Sequence, residues 1–385
     1  MSIPALSLCH SMESDVFLVG SGRTRFGELW DRSLRDLMED AIGTALRSSG
    51  LNALDIDLVV VANMLAEVTN DQGVLGALAS SLLPHHPPAL RVESACGSGA
   101  LAIHTACAFL ESKRAKTVLV IGVEKMTDAS VDDISQALMG AADSELDAPS
   151  GLTFAGIFGL ITNRYMYEFG LTREQLSIVS ALHHRNAQEN SLAQFQHGLS
   201  PEAVSASPLV ADPLRLFDCS PISDGAAACI LSTEHRSSLR IAASQVASDV
   251  VSITQRPTIT SFPATRKAMS RALAEAEIER SDIRVVETHD CFSIAAIINM
   301  EDLGFAEEGK GIKIYEDLYA GKTPSFLNMS GGLKACGHPV AATGVKQLID
   351  VGEHLTRFSA KWGLAHNFGG ACASCGVHIM ENLNV

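Results

Sequence analysis

Aromatic residues and positive charge are both scarce in this chain. Of its 385 residues only 5% are Phe, Trp or Tyr, and 29 Lys and Arg stand against 44 Asp and Glu, a net charge of -15. A surface of that sign repels a phosphate backbone, which argues against sequence-independent nucleic-acid binding. An anionic ligand therefore needs a local cationic or helix-terminus site, because the mean field opposes its approach. No run of 18 or more uncharged apolar residues occurs, so no membrane-spanning helix is expected. A basic leader and a C-terminal anchoring or targeting tripeptide are missing too; residues 1–15 read as a frayed leader, and the protein as cytoplasmic. Cysteine occurs nine times, an odd number placed mostly in apolar segments, which suits reduced thiols better than a disulfide framework.

What is present is enough apolar sequence, 46%, to fill the cores of about two to three domains. Short β-branched runs such as VFLVGSG, IDLVVVANM and TVLVIGVEKM alternate with amphipathic stretches such as LRDLMEDAIGTALRSSG. That alternation predicts an α/β fold with buried parallel strands. Two internal matches then divide the chain. ALRSSGLNALDIDLV (45–59) aligns without gaps to ALAEAEIERSDIRVV (272–286), each the end of a helix, a connector and a strand. VESACGSGALAIHTACAFL (92–110) and LNMSGGLKACGHPVAATGVKQLI (327–349) follow in the same order, each a strand running through small residues into a helix. Two similar halves are the simplest account. The expected division is 16–126 with 220–236 for the first half, 237–385 for the second, and a mainly helical insert at 127–219.

Four residues could carry chemistry. Cys96 lies at a strand-to-helix turn among Gly97, Ser98 and Gly99, where unpaired N–H groups would favour a thiolate; the alternative is a buried structural cysteine. His338 precedes Pro339, a favoured first helical residue, and occupies the junction of the second half that corresponds to Cys96, so it could act as that cysteine's base. In HDCF, His289 and Cys291 follow the strand IRVVET, at the strand end where open sheets place ligands. A histidine there could polarise a carbonyl and a cysteine could move a proton; a polar loop with one buried cysteine is the plainer alternative. Cys372 and Cys375, with His366 and His378, have C-x-x-C spacing, but they read as residues of two joined strands pointing to opposite faces, and no second C-x-x-C completes a zinc site. No metal is expected. His183 and His184 read as solvated helix-face residues.

Together these motifs resemble the thiolase superfamily from about Val16 onward: VESACGSG as the nucleophile turn, SDGAAA as the end of the first half, GGLKACGHPVAATG as the histidine helix start, and NFGG as the final glycine turn. The resemblance implies a five-layer α-β-α-β-α sandwich of two similar halves, an inserted loop domain and a homodimer or dimer of dimers. HDCF in place of Asn-Glu-Ala-Phe, and Asn367-Phe368-Gly369 in place of Cys-x-Gly, make the chain similar to the sterol-carrier-protein type, in which Cys291 would replace the acid-base cysteine lost at 367. It further implies a Cys96 acyl-enzyme formed with His338 as base, backbone N–H groups of Cys96 and Gly369 as one oxyanion hole, and His289 with His338 holding the second thioester oxygen. Coenzyme A thioesters would be substrates, with no bound cofactor. A decarboxylating ketoacyl synthase, a carbon–carbon lyase working with an OB-fold, zinc-ribbon accessory protein, and a non-catalytic acyl-CoA-binding subunit stay open as alternatives. For a chain at -15, binding coenzyme A calls for a basic patch or a basic partner at the entrance.

Overall fold

Runs of β-branched residues become strands with both faces covered: Leu58–Ala62 and Thr117–Glu124 are buried at every position. The computed structural model describes residues 15–385. The leader expected at 1–15 thus lies outside the described residues except for Asp15, which pairs with Arg240 at 3.1 Å.

In chain order the strands are β1 (Val16–Arg23), β2 (Leu58–Ala62), β3 (Ala89–Val92), β4 (Thr117–Glu124), β5 (Leu209–Ala211), β6 (Leu214–Arg215), β7 (Gly225–Ser232), β8 (Leu239–Ser248), β9 (Ile283–Thr288), β10 (Trp362–Gly369) and β11 (Ser374–Asn382). Nine of them form one sheet in the order β3-β2-β4-β7-β1-β8-β11-β10-β9. Its two ends repeat one topology. β2 and β4 are parallel, as are β9 and β10; β4–β7–β1 and β10–β11–β8 are antiparallel. Where β3 flanks β2, a parallel bridge from Leu327 to Val286 flanks β9. The halves join through Val16↔Ile241 and Phe17↔Arg240, the register pairs between β1 and β8 among the described residues.

Between the two halves of the sheet lie the helices Ser98–Glu111 and Ala342–Arg357, whose apolar side chains share one core with Val120 of β4 and Met380 of β11. Leu34–Ser49 covers the outer face of the first half, and Pro263–Ala276 with Ser293–Asp302 the outer face of the second. That is the five-layer order. The central pair crosses with backbones in contact: a Cβ on Gly99 would lie 2.8 Å from Ala341 O, and one on Gly344 2.5 Å from Ala100 N. Only glycine permits that approach, and it brings the N-terminal ends of both helices to one point. Between β4 and β7 the chain forms the helices Val131–Leu138, Phe154–Phe169, Arg173–Ala187 and Pro201–Ala206 and the β5–β6 hairpin.

Candidate active site

The turn before the first central helix is tightly built. Ala95 has φ 49, a left-handed conformation uncommon for a residue with a Cβ. The Ser98 hydroxyl donates to Ala95 O at 2.6 Å and accepts from Ser94 N at 2.8 Å, closing the loop around Cys96. Cys96 stands just outside the helix, which begins at Ser98 with Gly97 as its cap, and it is 4% exposed. Burial, reinforced by the Glu124 carboxyl, pushes its thiol up to about 12. The expectation of a resting thiolate at a helix terminus is therefore corrected. Desolvation outweighs the dipole here, and the proton has to be taken during the reaction.

His338 is held at two points. Its N–H donates to Ser223 Oγ at 3.0 Å, and its Nδ1 lies 2.7 Å from Thr343 Oγ1. The Thr343 hydroxyl has Pro339 O at 3.5 Å for its own proton, so it accepts from Nδ1–H and leaves the lone pair on Nε2. Burial holds this imidazole down to about 3, hence neutral. Pro339 is not the first helical residue: the chain makes one more turn, Ala342 N to Pro339 O at 2.8 Å, and the helix starts at Ala342.

His289 follows β9 directly. Asn367 Oδ1 accepts from Ala100 N at 3.4 Å, so its Nδ2 faces His289 Nδ1, at 2.9 Å. An amide donor on Nδ1 puts the ring proton on Nε2. The two imidazoles meet edge to face at 5.0 Å between centroids, and neither Nε2 finds a partner among the described residues. One donor atom each from Cys96, His289 and His338 lie within 4.8 Å of one another. Cys291 is buried beside them, its thiol raised by burial and then by Cys96. Ser220 N donates to Cys291 O at 2.8 Å, tying that loop to the chain entering β7. Gly369, at the end of β10, presses on the Cys96 turn: a Cβ on Gly97 would lie 2.9 Å from Gly369 N.

Cys96, Cys291 and His338 line a cavity of about 320 Å³ whose other walls include Met126, Ile134, Leu138, Phe154 and Phe292. No Lys or Arg is among the described residues that line it. The 127–219 segment has four arginines and no lysine. Arg164 pairs with Glu168 and Arg173 with Asp218, while Arg185 binds Tyr319 O and Arg215 binds Ser207 O. The cavity-lining helix opens on Asp132 and Asp133.

Two further expectations are corrected. His183 and His184 are buried, because the stripe Leu176, Val179, Ser180, His183 and Ala187 is the inner face of its helix; that spacing was a readable signal. Cys372 and Cys375 do not point apart. Cys372 sits in the turn between β10 and β11 with φ 60, and both sulfurs approach Thr265 Oγ1, at 3.3 and 3.6 Å. His366 bonds the same hydroxyl through Nε2 at 3.0 Å, and His378 Nδ1 lies 3.0 Å from Ser244 Oγ. Asn367 and Thr343, which set the two ring tautomers, had not been singled out as partners of the histidines.

The duplicated α/β sandwich brings Cys96 of one half against His289 and His338 of the other, and similarity to acetyl-CoA acetyltransferases makes the protein an acyltransferase. Residues 16–235 match the family described as thiolase, N-terminal domain, and 245–382 the thiolase C-terminal domain-like family. An acetyl-CoA acetyltransferase of Methanothermobacter thermautotrophicus is 42% identical over 384 residues, covering 95% of this chain and 99% of that protein. Sterol carrier protein 2 of Bos taurus is 29% identical, covering 93% of this chain and 70% of that protein. A solved structure described as "Ltp2-ChsH2(DUF35) aldolase" superposes with a TM-score of 0.79 at 20% identity, covering 97% and 99% of the two chains. The chain belongs to the thiolase family.

Proposed function

We propose that the protein is a thiolase acting on coenzyme A thioesters, cleaving 3-ketoacyl-CoA and running the reverse Claisen condensation. The observation that carries this reading is the meeting of Cys96, His289 and His338 within 4.8 Å with opposite ring tautomers. His338 Nε2, bearing a lone pair, takes the Cys96 proton as sulfur attacks the thioester carbonyl; the Cys291 thiol gives its proton to the departing coenzyme A sulfur, and an acyl-enzyme, a Cys291 thiolate and a protonated His338 remain. The oxyanion of that step falls to the N–H groups of Cys96 and Gly369. A second acyl-CoA then enters with its thioester oxygen between the Nε2–H groups of His289 and the now protonated His338. The Cys291 thiolate takes the α-proton, the enolate carbon attacks the acyl-enzyme, and the C–S bond to Cys96 breaks as that sulfur recovers its proton from His338. In cleavage the same groups run backwards, with Cys291 returning the proton.

The division into halves 16–126 with 220–236 and 237–385, with an insert at 127–219, is part of this reading and is supported by the repeated strand order. So is a dimer, through the half-exposed edge strand β3 at one end of the sheet. The absence of Lys and Arg from the described residues that line the cavity supports a basic accessory protein that would supply cations for the phosphates of coenzyme A. An OB-fold, zinc-ribbon protein is the candidate, and the similar aldolase structure is described with a DUF35 component. Among the described residues no helix is long and apolar enough to cross a membrane; a cytoplasmic location is part of the proposal. Intact-protein mass spectrometry after exposure to acetyl-CoA tests the reading. One acetyl group on Cys96, absent from Cys96→Ala, is expected; acetylation that persists in the variant refutes it.

A further inference from the structure

Among the buried charged groups that the chemistry above leaves unused, one cluster adjoins His289 and Cys291. Asp290, between His289 and Cys291, is wholly buried. Its Oδ1 accepts from Leu333 N at 2.8 Å, and its Oδ2 stands 2.7 Å from Lys334 Nζ and 2.9 Å from His183 Nδ1. The same ammonium donates to the Asp290 carbonyl oxygen at 2.8 Å. Gly332 completes the seat: its φ is +59, and a Cβ there would lie 2.5 Å from Asp290 Oδ2, so a larger residue would displace the carboxylate. Three segments converge on this one group. They are the loop after β9 with His289 and Cys291, the short helix Gly332–Cys336 that leads to His338, and the helix Arg173–Ala187.

A buried ion pair adds little net stability over an apolar replacement, because desolvation offsets its attraction, so its contribution is sought in geometry. We infer that the Asp290–Lys334 pair, braced by His183, is a positioning device that holds His289 and Cys291 in register with Cys96 and His338 for the enolate half of the reaction. The half-reaction named here rests on the thiolase reading; the coupling of the pair to Cys291 does not. Asp290 touches no substrate and acts through its neighbours. Its charge reaches the two thiols unequally. After burial, Cys291 is governed by Cys96, Asp290 and Lys334, with Asp290 raising its pKa and Lys334 lowering it, whereas Cys96 is governed by burial, Glu124 and Glu93.

The test compares Asp290→Asn, Lys334→Met and the neutral double variant, which keeps no uncompensated buried charge and so guards against simple unfolding. Iodoacetamide alkylation of Cys291 and Cys96 is followed against pH by peptide mass spectrometry. Beside it, the rate of Cys96 acetylation by acetyl-CoA is compared with exchange of the acetyl methyl protons into deuterium oxide. Asp290→Asn is expected to move the Cys291 midpoint to lower pH and Lys334→Met to higher pH, with the Cys96 midpoint less affected. Both single variants slow methyl exchange on the order of 10²-fold while acetylation changes far less; the double variant brings the Cys291 midpoint back without restoring exchange. Cys291 midpoints unmoved in both single variants, or exchange and acetylation falling in proportion in all three, overturn the inference. If the unaltered protein is not acetylated, the thiolase reading fails, and the alkylation midpoints alone then decide whether the pair governs Cys291.

Discussion

Asn367 donates to His289 Nδ1 at 2.9 Å and thereby turns the hydrogen-bearing Nε2 of that ring toward His338. The residue that stands where related enzymes carry a cysteine thus sets the tautomer of the group proposed to stabilise the enolate. Asn367→Asp exchanges the amide donor for an acceptor and favours Nδ1–H, leaving a lone pair where a donor is needed. The expected result is a fall in kcat of about 10² with Cys96 acetylation retained. Steady-state kinetics beside intact-mass acylation would check it, and equal loss in both would count against the tautomer argument.

Thr343 plays the matching part for His338, at 2.7 Å from its Nδ1. Thr343→Val keeps the shape and removes the acceptor. Stopped-flow acetylation of Cys96 should slow by roughly ten-fold or more, whereas thermal stability should change little. A variant that acylates at the normal rate would show that the ring is oriented by packing alone.

The glycine crossing of the central helices makes a prediction about distance and stability together. Gly344→Ala would set a methyl 2.5 Å from Ala100 N and 2.6 Å from Asn367 Oδ1. The helices must then separate, at a cost of about 1–3 kcal/mol, and Cys96 moves away from His338. Urea unfolding and acylation rate should both decline, and a crystal structure of the variant should show the widened crossing.

Acid should unfold the protein early. Burial holds His184 down to about 4 and His338, His366 and His378 to about 3, against an ordinary value of 6.5. The folded chain therefore binds fewer protons at these sites than the unfolded one. Their contribution is intact above pH 6.5 and is lost as pH falls through 6.5 toward 3. Glu124, raised by burial to about 8, works the other way, losing stability as pH rises from its ordinary 4.5 to 8. Four groups outweigh one below pH 6.5. Melting temperatures between pH 8 and 4 should fall steeply on the acid side, and a flat profile would contradict the buried neutral histidines.

Much of the site was readable because it lies at repeated, local places. Cys96 and His338 each precede a central helix, and His289 and Cys291 directly follow β9, so strand patterns and small-residue turns pointed to them. The supporting residues were hidden for the opposite reason. Asn367 acquires its role from Ala100 and His289, far away in sequence, and Thr265 gathers His366, Cys372 and Cys375 from the opposite side of the second half. His183 was misjudged because two adjacent histidines look solvated until the helical spacing is traced past them.

The crossing at Gly99 and Gly344 also has a consequence for synthesis. During translation Cys96 leaves the ribosome more than two hundred residues ahead of His338. Until the second central helix has emerged and docked on the first, Cys96 lacks the histidine proposed as its base, and the burial that raises its thiol to about 12 in the complete fold is unfinished. On the proposed reading, reactivity toward acyl thioesters is acquired late, when the last helix and the final hairpin have closed over the thiol.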